Sequence, residues 1–323
     1  MKEYSPSGRV SISGFILALI MIVIVGLILG IIAYLISKTI YLVPLSPLIL
    51  AFLCGTFAAL AVKWGKIRNS LVAILIGLLI GAISYGTYRT AEYVGEMVAA
   101  AQIVAIKDVP GLISQVQGGQ RLLDSFLQEE IGQVGFLGFT EYLAQQGMTI
   151  TRTSATTASS GVELNREMLY GYWVLEILAI LLIAALMARS SAHKPFCEDG
   201  NKWLKDGDFQ MIGAINFEDV EPLKKALLAG DFYTAGAILA VPPPSGGSLV
   251  RMVRCGGSTE QLDDDIFITA TQKKGRNRTE TAFTGMMSLS AYNMLWNAVQ
   301  QRRAGPQQQP PLPASGSGYQ FDL

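Results

Sequence analysis

From Gly14 to Ile36 the chain carries no charge and almost no polar side chain. At about 1.5 Å rise per residue, a helix of that length crosses a hydrocarbon layer of roughly 30 Å. Three further apolar runs follow, Leu42 to Val62, Ser70 to Tyr88 and Leu169 to Ala188, and only the last holds an ionisable group. Pro44 and Pro47 stand at the entry of the second run, where a missing N–H costs least. One such run could be the core helix of a water-soluble domain. Four together predict a membrane α-helical bundle of four transmembrane helices. The first run is too long for a signal-peptide core and has no clear small-residue cleavage site, so it is expected to stay in the mature chain.

Orientation follows from Lys and Arg near the ends of the runs. The loop between runs two and three holds Lys63, Lys66 and Arg68 with no acid, and run four exits into Arg189 and Lys194. The opposite side receives the segment 91–168, with four basic residues against nine acids and a net charge of −5. Charge and parity agree in predicting a multi-pass protein of the cell membrane with both termini cytoplasmic. The expected organisation is a cytoplasmic tail over 1–13, three spans within 14–90, an extracytoplasmic and mainly helical segment over 91–168, a fourth span over 169–188, a cytoplasmic α+β domain over 189–304 and a disordered tail over 305–323. The whole chain of 323 residues is neutral, so no global field draws nucleic acid, and none is expected as a partner.

Two runs carry glycines four apart, Gly26 with Gly30 and Gly77 with Gly81. That spacing makes a flat strip on which another helix can lie closely. Packing within the one chain is the first reading, and self-association through the strips is the second. Glu176 stands inside run four, about 10 Å from its outer end. An intramembrane carboxylate is a candidate functional site. Arg89, Tyr85 and Tyr88 close run three on the same side. The leading reading is an ion pair or Tyr hydrogen bond that locks helix three to helix four. A substrate or proton site and simple snorkelling are the others.

In the outer segment, Arg121 to Ile131 reads as an amphipathic helix preceded by a turn at Gly118-Gly119, and Phe139 to Gln146 as a second helix stopped by Gly147. Met148 to Thr157 reads as a short strand. In the C-terminal segment, helices are expected over Glu218 to Ala229, capped by Asp219, and from Asp231 to Ala240. Leu249 to Arg254, Ile266 to Gln272 and Thr279 to Leu289 form an antiparallel three-stranded meander, and Ser290 caps a final helix burying Tyr292, Leu295, Trp296 and Val299. The basic turn Lys273 to Arg278 reads as a solvated hairpin tip, and Asn277-Arg-Thr279 as a chance match to a glycosylation site.

Phe196-Cys197-Glu-Asp-Gly200 resembles the first knuckle of a zinc ribbon, and Val253-Arg-Cys255-Gly-Gly-Ser258 the second. Each lacks its second Cys, since Gly200 and Ser258 stand there. Two thiolates do not make a stable tetrahedral zinc site, so no metal and no other cofactor is expected. In a reducing cytoplasm Cys197 and Cys255 are expected to remain thiols. The arrangement as a whole resembles a family of uncharacterised bacterial four-span membrane proteins with a zinc-ribbon-like cytoplasmic end. The residues that carry this are Ser5-Pro6-Ser7-Gly8-Arg9, Gly65-Lys66-Ile67-Arg68-Asn69, the Trp173 and Glu176 pair, and the Cys-depleted ribbon. The resemblance implies a bacterial inner-membrane protein and no particular activity.

With one His, no nucleophile–base motif, no phosphate loop and no metal motif, an enzyme is not expected. The leading expectation is a membrane-anchored interaction or scaffold protein, with a protein partner or a second copy of itself. The alternative is a subunit of a small transporter or channel that uses Glu176 as an intramembrane polar site.

Overall fold

The computed structural model describes residues 1–39, 45–103, 112–150, 162–198, 200–241, 247–255, 265–273 and 279–304. They form two compact units. One is Pro6–Lys194, and the other joins Met1–Ser5 to Pro195–Leu323. The expected Lys274 to Arg278 turn tip, the position of Ser258 and the 305–323 tail lie outside the described residues.

The chain begins with a two-residue strand, β1 (Lys2–Glu3), which belongs to the second unit. The first unit then runs α1 (Ile12–Thr39), α2 (Leu45–Trp64), α3 (Ser70–Ile103), α4 (Leu112–Glu130), α5 (Gly135–Gln146), β2 (Met148–Ile150), β3 (Val162–Leu164) and α6 (Arg166–Ala192). Helices α1, α2, α3 and α6 are long and apolar enough to cross a membrane. Their inner faces are built largely of small residues, with Ala18, Ala51, Cys54, Ala58, Ala73, Ala184 and Ala188 fully buried. Their outer faces carry large aliphatics such as Ile16, Ile20, Ile24 and Ile28. Small inward residues let the helix backbones approach closely.

The glycine strips lie inside this packing. A Cβ on Gly26 would meet Ile83 at 2.6 Å, and one on Gly77 would meet the Ala184 carbonyl oxygen at 2.5 Å. Gly30 faces Ser84 and Thr87 of α3, and Gly81 faces Leu181 of α6. The first strip therefore seats α1 on α3, and the second seats α3 on α6.

Helix starts are set by side-chain caps. Asn69 Oδ1 accepts from the N–H groups of Leu71 and Val72 at 2.9 and 3.1 Å and so opens α3. Asn165 Oδ1 accepts from Met168 N–H at 3.0 Å and opens α6. Past the apolar part of α3, Tyr93 and Met97 pack with Leu123, Leu127 and Phe139 into a second small core. The structure corrects the reading of Gly118-Gly119 as a turn. Both lie within α4, and Gly119 sits against the Met97 carbonyl, where any Cβ would collide. Helix α5 starts at Gly135, four residues earlier than expected, and its Gly135 N–H donates to Asp124 Oδ1 at 2.9 Å. Strand β2 pairs antiparallel with β3, and the remainder of the expected 148–157 strand lies outside the described residues.

The second unit continues with a small hairpin, β4 (Phe196–Cys197) and β5 (Lys202–Trp203), then β6 (Gln210–Ile215), α7 (Val220–Ala229), α8 (Phe232–Ala240), β7 (Ser248–Cys255), β8 (Asp265–Lys273), β9 (Thr279–Ser288) and α9 (Leu289–Arg303). Its main sheet has the order β1-β9-β8-β7-β6, antiparallel throughout. The expected meander is the centre of this sheet, but the sheet has five strands rather than three. Strand β6 adds to one edge, with a register shift between Met211 and Gly213, and β1 adds to the other, with Lys2 opposite Met286. Central β8 is covered on both faces, since Ile266, Phe267, Ile268 and Ala270 are all buried. One face packs with Leu223, Leu227, Leu239, Leu295 and Val299 of the helices. On the other, Phe267 meets Cys197, Leu204 and Cys255, with the Tyr4 ring 5.6 Å away.

Two expected caps shift. Asp219 makes no capping bond, since a single 3-10 turn over Phe217–Asp219 leads into α7 and Asn216 Nδ2 donates to the Asp219 carboxylate at 3.1 Å. Ser288, not Ser290, opens α9 by accepting from Ala291 N–H. Asp231 caps α8 as expected, accepting from Thr234 N–H at 3.0 Å.

Candidate functional site

Tyr85, Tyr88, Arg89 and Glu92 fall at helical spacing on α3, so they share the face turned toward α6. From α6, Trp173 and Glu176 face them one turn apart. The Tyr85 hydroxyl donates to Glu176 Oε2 at 3.4 Å, and the Tyr85 and Tyr88 rings lie 6.2 Å apart. Arg89 does not reach across to Glu176 as an ion-pair partner. Its Nη1 binds Glu92 Oε2 at 2.6 Å, three residues on along the same helix. Its guanidinium lies over the Trp173 ring, 4.5 Å from the centroid. Of the two expected locks between α3 and α6, the ion pair is not formed and the Tyr hydrogen bond is, from Tyr85 to Glu176, with Arg89 on Trp173 as a further tie. Glu92 escaped the sequence reading because it had been grouped with the scattered acids of the outer segment. Its i+3 spacing from Arg89 was the signal.

A cavity of about 50 Å³ reaches Glu176 from between α1 and α2. Its walls are mostly aliphatic, and its polar groups are Ser37, Ser46, Tyr88 and Glu176.

Just beyond this cluster, Glu141 of α5 gathers three donors. The Gln145 amide reaches it at 3.0 Å, the Tyr170 hydroxyl at 2.7 Å and the Arg166 guanidinium at 2.7 Å. Those bonds, led by that from Gln145, hold the carboxyl below its ordinary range. They join α5 to the start of α6.

At the other end of the bundle, the two motifs from before α1 and before α3 come together. Asn69 Nδ2 donates to the Gly8 carbonyl at 3.3 Å, and Arg68 N–H donates to the Arg9 carbonyl at 3.1 Å. Gly14 lies against Gly65. His193 is also here, with Nε2 3.0 Å from Ser70 Oγ.

In the second unit, Cys197 and Cys255 are joined by a disulfide, with Cα atoms 5.5 Å apart. The sheet and the β4–β5 hairpin bring the two sulfurs within bridging distance in a buried core, and the expectation of two thiols holds only for a reducing compartment. The Gly200 N–H donates to Cys197 Sγ at 3.1 Å. Among the described residues there is no group of three or more His, Cys, Asp or Glu that could hold a metal ion.

The chain matches no protein-family model, no curated protein and no solved structure. Its function therefore has to be argued from geometry.

Proposed function

We propose that the chain is a four-span integral membrane protein that holds an α+β domain at the bilayer surface and acts through protein contacts of that domain. The observation that carries this is the pairing of β1 with β9. A sheet cannot be hydrogen-bonded through a bilayer, so the strands before and after the four apolar helices lie on one side. The number of crossings between them is then even, as four spans require. The lysines and arginines of the 63–68 loop and of 189–194 favour the cytoplasm for that side. Residues 91–168 then lie outside, with Glu141 holding their helical cap to α6. On this reading the chain is a bacterial inner-membrane protein like those it resembles, and it works as an anchored scaffold rather than as an enzyme.

A gentle-detergent pull-down of the tagged full chain, with a mass determination of the eluted particle, tests the scaffold reading. A stoichiometric partner or a defined homo-oligomer is expected. A monomer eluting alone overturns it. Orientation has its own test in Cys197 and Cys255. Cytoplasmic placement predicts that the bond joining them in the structure is open in the reducing compartment, so that acid-quenched cells yield both as alkylatable thiols. A bond already closed in the cell would put the domain on the oxidising side and invert all four spans.

A further inference from the structure

The cavity between α1 and α2 has a chemistry that the scaffold reading does not use. Its mouth is walled by Ile32, Ile36 and Ile49, each about two-fifths exposed, so it opens on the apolar outer face of the bundle. It also opens near the helix ends, because Ser37 lies two residues before the end of α1 and Ser46 is the second residue of α2. At its floor is the Glu176 carboxylate. Among the described residues one hydrogen bond reaches that carboxylate, the long one from Tyr85 at 3.4 Å. A carboxylate has room for about four. Arg89, the cation on the facing helix α3, is engaged by Glu92 and Trp173.

We propose that this cavity holds the primary-ammonium head of an aminophospholipid such as phosphatidylethanolamine. The ligand must arrive through the bilayer, since the mouth is aliphatic, and so must carry an apolar body. Its head must be cationic and donate hydrogen bonds, to match one carboxylate and the hydroxyls of Ser37, Ser46 and Tyr88. Size agrees: about 50 Å³ admits roughly four water-sized groups, which suits an aminoethyl head while the acyl chains stay in the hydrocarbon beside the isoleucines. A trimethylammonium head of the same charge has no N–H to give the carboxylate. The site should therefore separate ethanolamine from choline lipids.

The inference rests on membrane insertion but not on the scaffold role. The test uses the full chain in nanodiscs holding equal parts of phosphatidylethanolamine and phosphatidylcholine, with bound lipid counted by native mass spectrometry. Enrichment of the ethanolamine lipid by about tenfold is expected, the size of one charge-assisted hydrogen bond. Glu176→Gln should remove it. Ala33→Leu, which fills the cavity and leaves the carboxylate, should remove it too and stands alone if Glu176→Gln does not fold. Ile24→Ala, on the outer face, should keep it. Equal carriage of both lipids, or enrichment that survives both cavity substitutions, overturns the site. Alkaline extraction of the native membranes separates the two ideas. A chain released by carbonate ends both, while an embedded chain without amine selectivity ends only the lipid site.

Discussion

The two units use large and small side chains in opposite ways. In the helical unit, alanines and glycines share the inside with some large residues such as Ile76 and Ile80, while many isoleucines and leucines face out, so Ala58 is fully buried and Ile24 is 52% exposed. In the α+β unit, the large residues of β8 are buried on both faces and the helices supply leucines to cover them. The difference fits helices apolar enough to cross a membrane in one unit and a core closed against water in the other. Water drives large apolar groups inward. Lipid does not, so what holds helices together there is close backbone approach. The same residue types in one chain are thus read correctly only after the solvent for each stretch is known.

Substitutions that reverse each rule should break the comparison. The largest effect is expected from Phe267→Ala, which empties the buried centre of β8 and should cost about 3–5 kcal/mol in denaturant unfolding of the α+β unit. Gly77→Val comes next. A Cβ there meets the backbone of Ala184 and Ala185, which has little freedom to move, so a loss of about 3 kcal/mol is expected in the helical unit, read by its detergent melting temperature. Ile24→Ala, which trims a large side chain on the exposed outer face, should change that melting temperature little. If Ile24→Ala proves as costly as Gly77→Val, the inside-out account of the helical unit fails.

Smaller effects sharpen the same contrast. Asn69→Ala removes the α3 cap and the bond to Gly8, and should cost about 1–2 kcal/mol, again in the detergent melt. The weakest is the Glu141 tie. Its carboxyl is held below the ordinary 4.5, so its contribution is present at neutral pH and disappears as pH falls from there through the lowered folded value. Protease cleavage between α5 and α6 should therefore rise in mild acid and be insensitive to pH between 6 and 8, an interval about two units above any ordinary carboxylate. Glu141→Gln should flatten the acid response.

The four long helices were legible because uncharged runs of that length have few other uses. The β7–β9 meander was legible from alternation and turn residues. Strand β6 was not, because Gln210-Met-Ile-Gly-Ala-Ile215 has no clean alternation, and its bulge at Met211–Gly213 hides the period. Strand β1 was illegible in principle. It is two charged residues long, and its pairing is decided by Met286 and Gly285 at the far end of the chain. The glycine strips were visible as pairs four apart, whereas Gly119 was mistaken for a turn because a close helix crossing and a break look alike in sequence. At the candidate site, Glu176, Arg89, Tyr85 and Tyr88 do converge. Their pairing was set by Glu92 and Trp173, whose choice between partners depends on rotamers that spacing does not specify.

The edge strand β1 also imposes an order of events during synthesis. Lys2 and Glu3 are made before all four apolar helices, but the strand they pair with is made after them. At about 5–20 residues per second, roughly 15–60 s separate the two. Through that interval the four apolar helices are made while the first strand waits for its partner. The N-terminal segment thus acts as a latch, closing the sheet once the spans between it and β9 have been made.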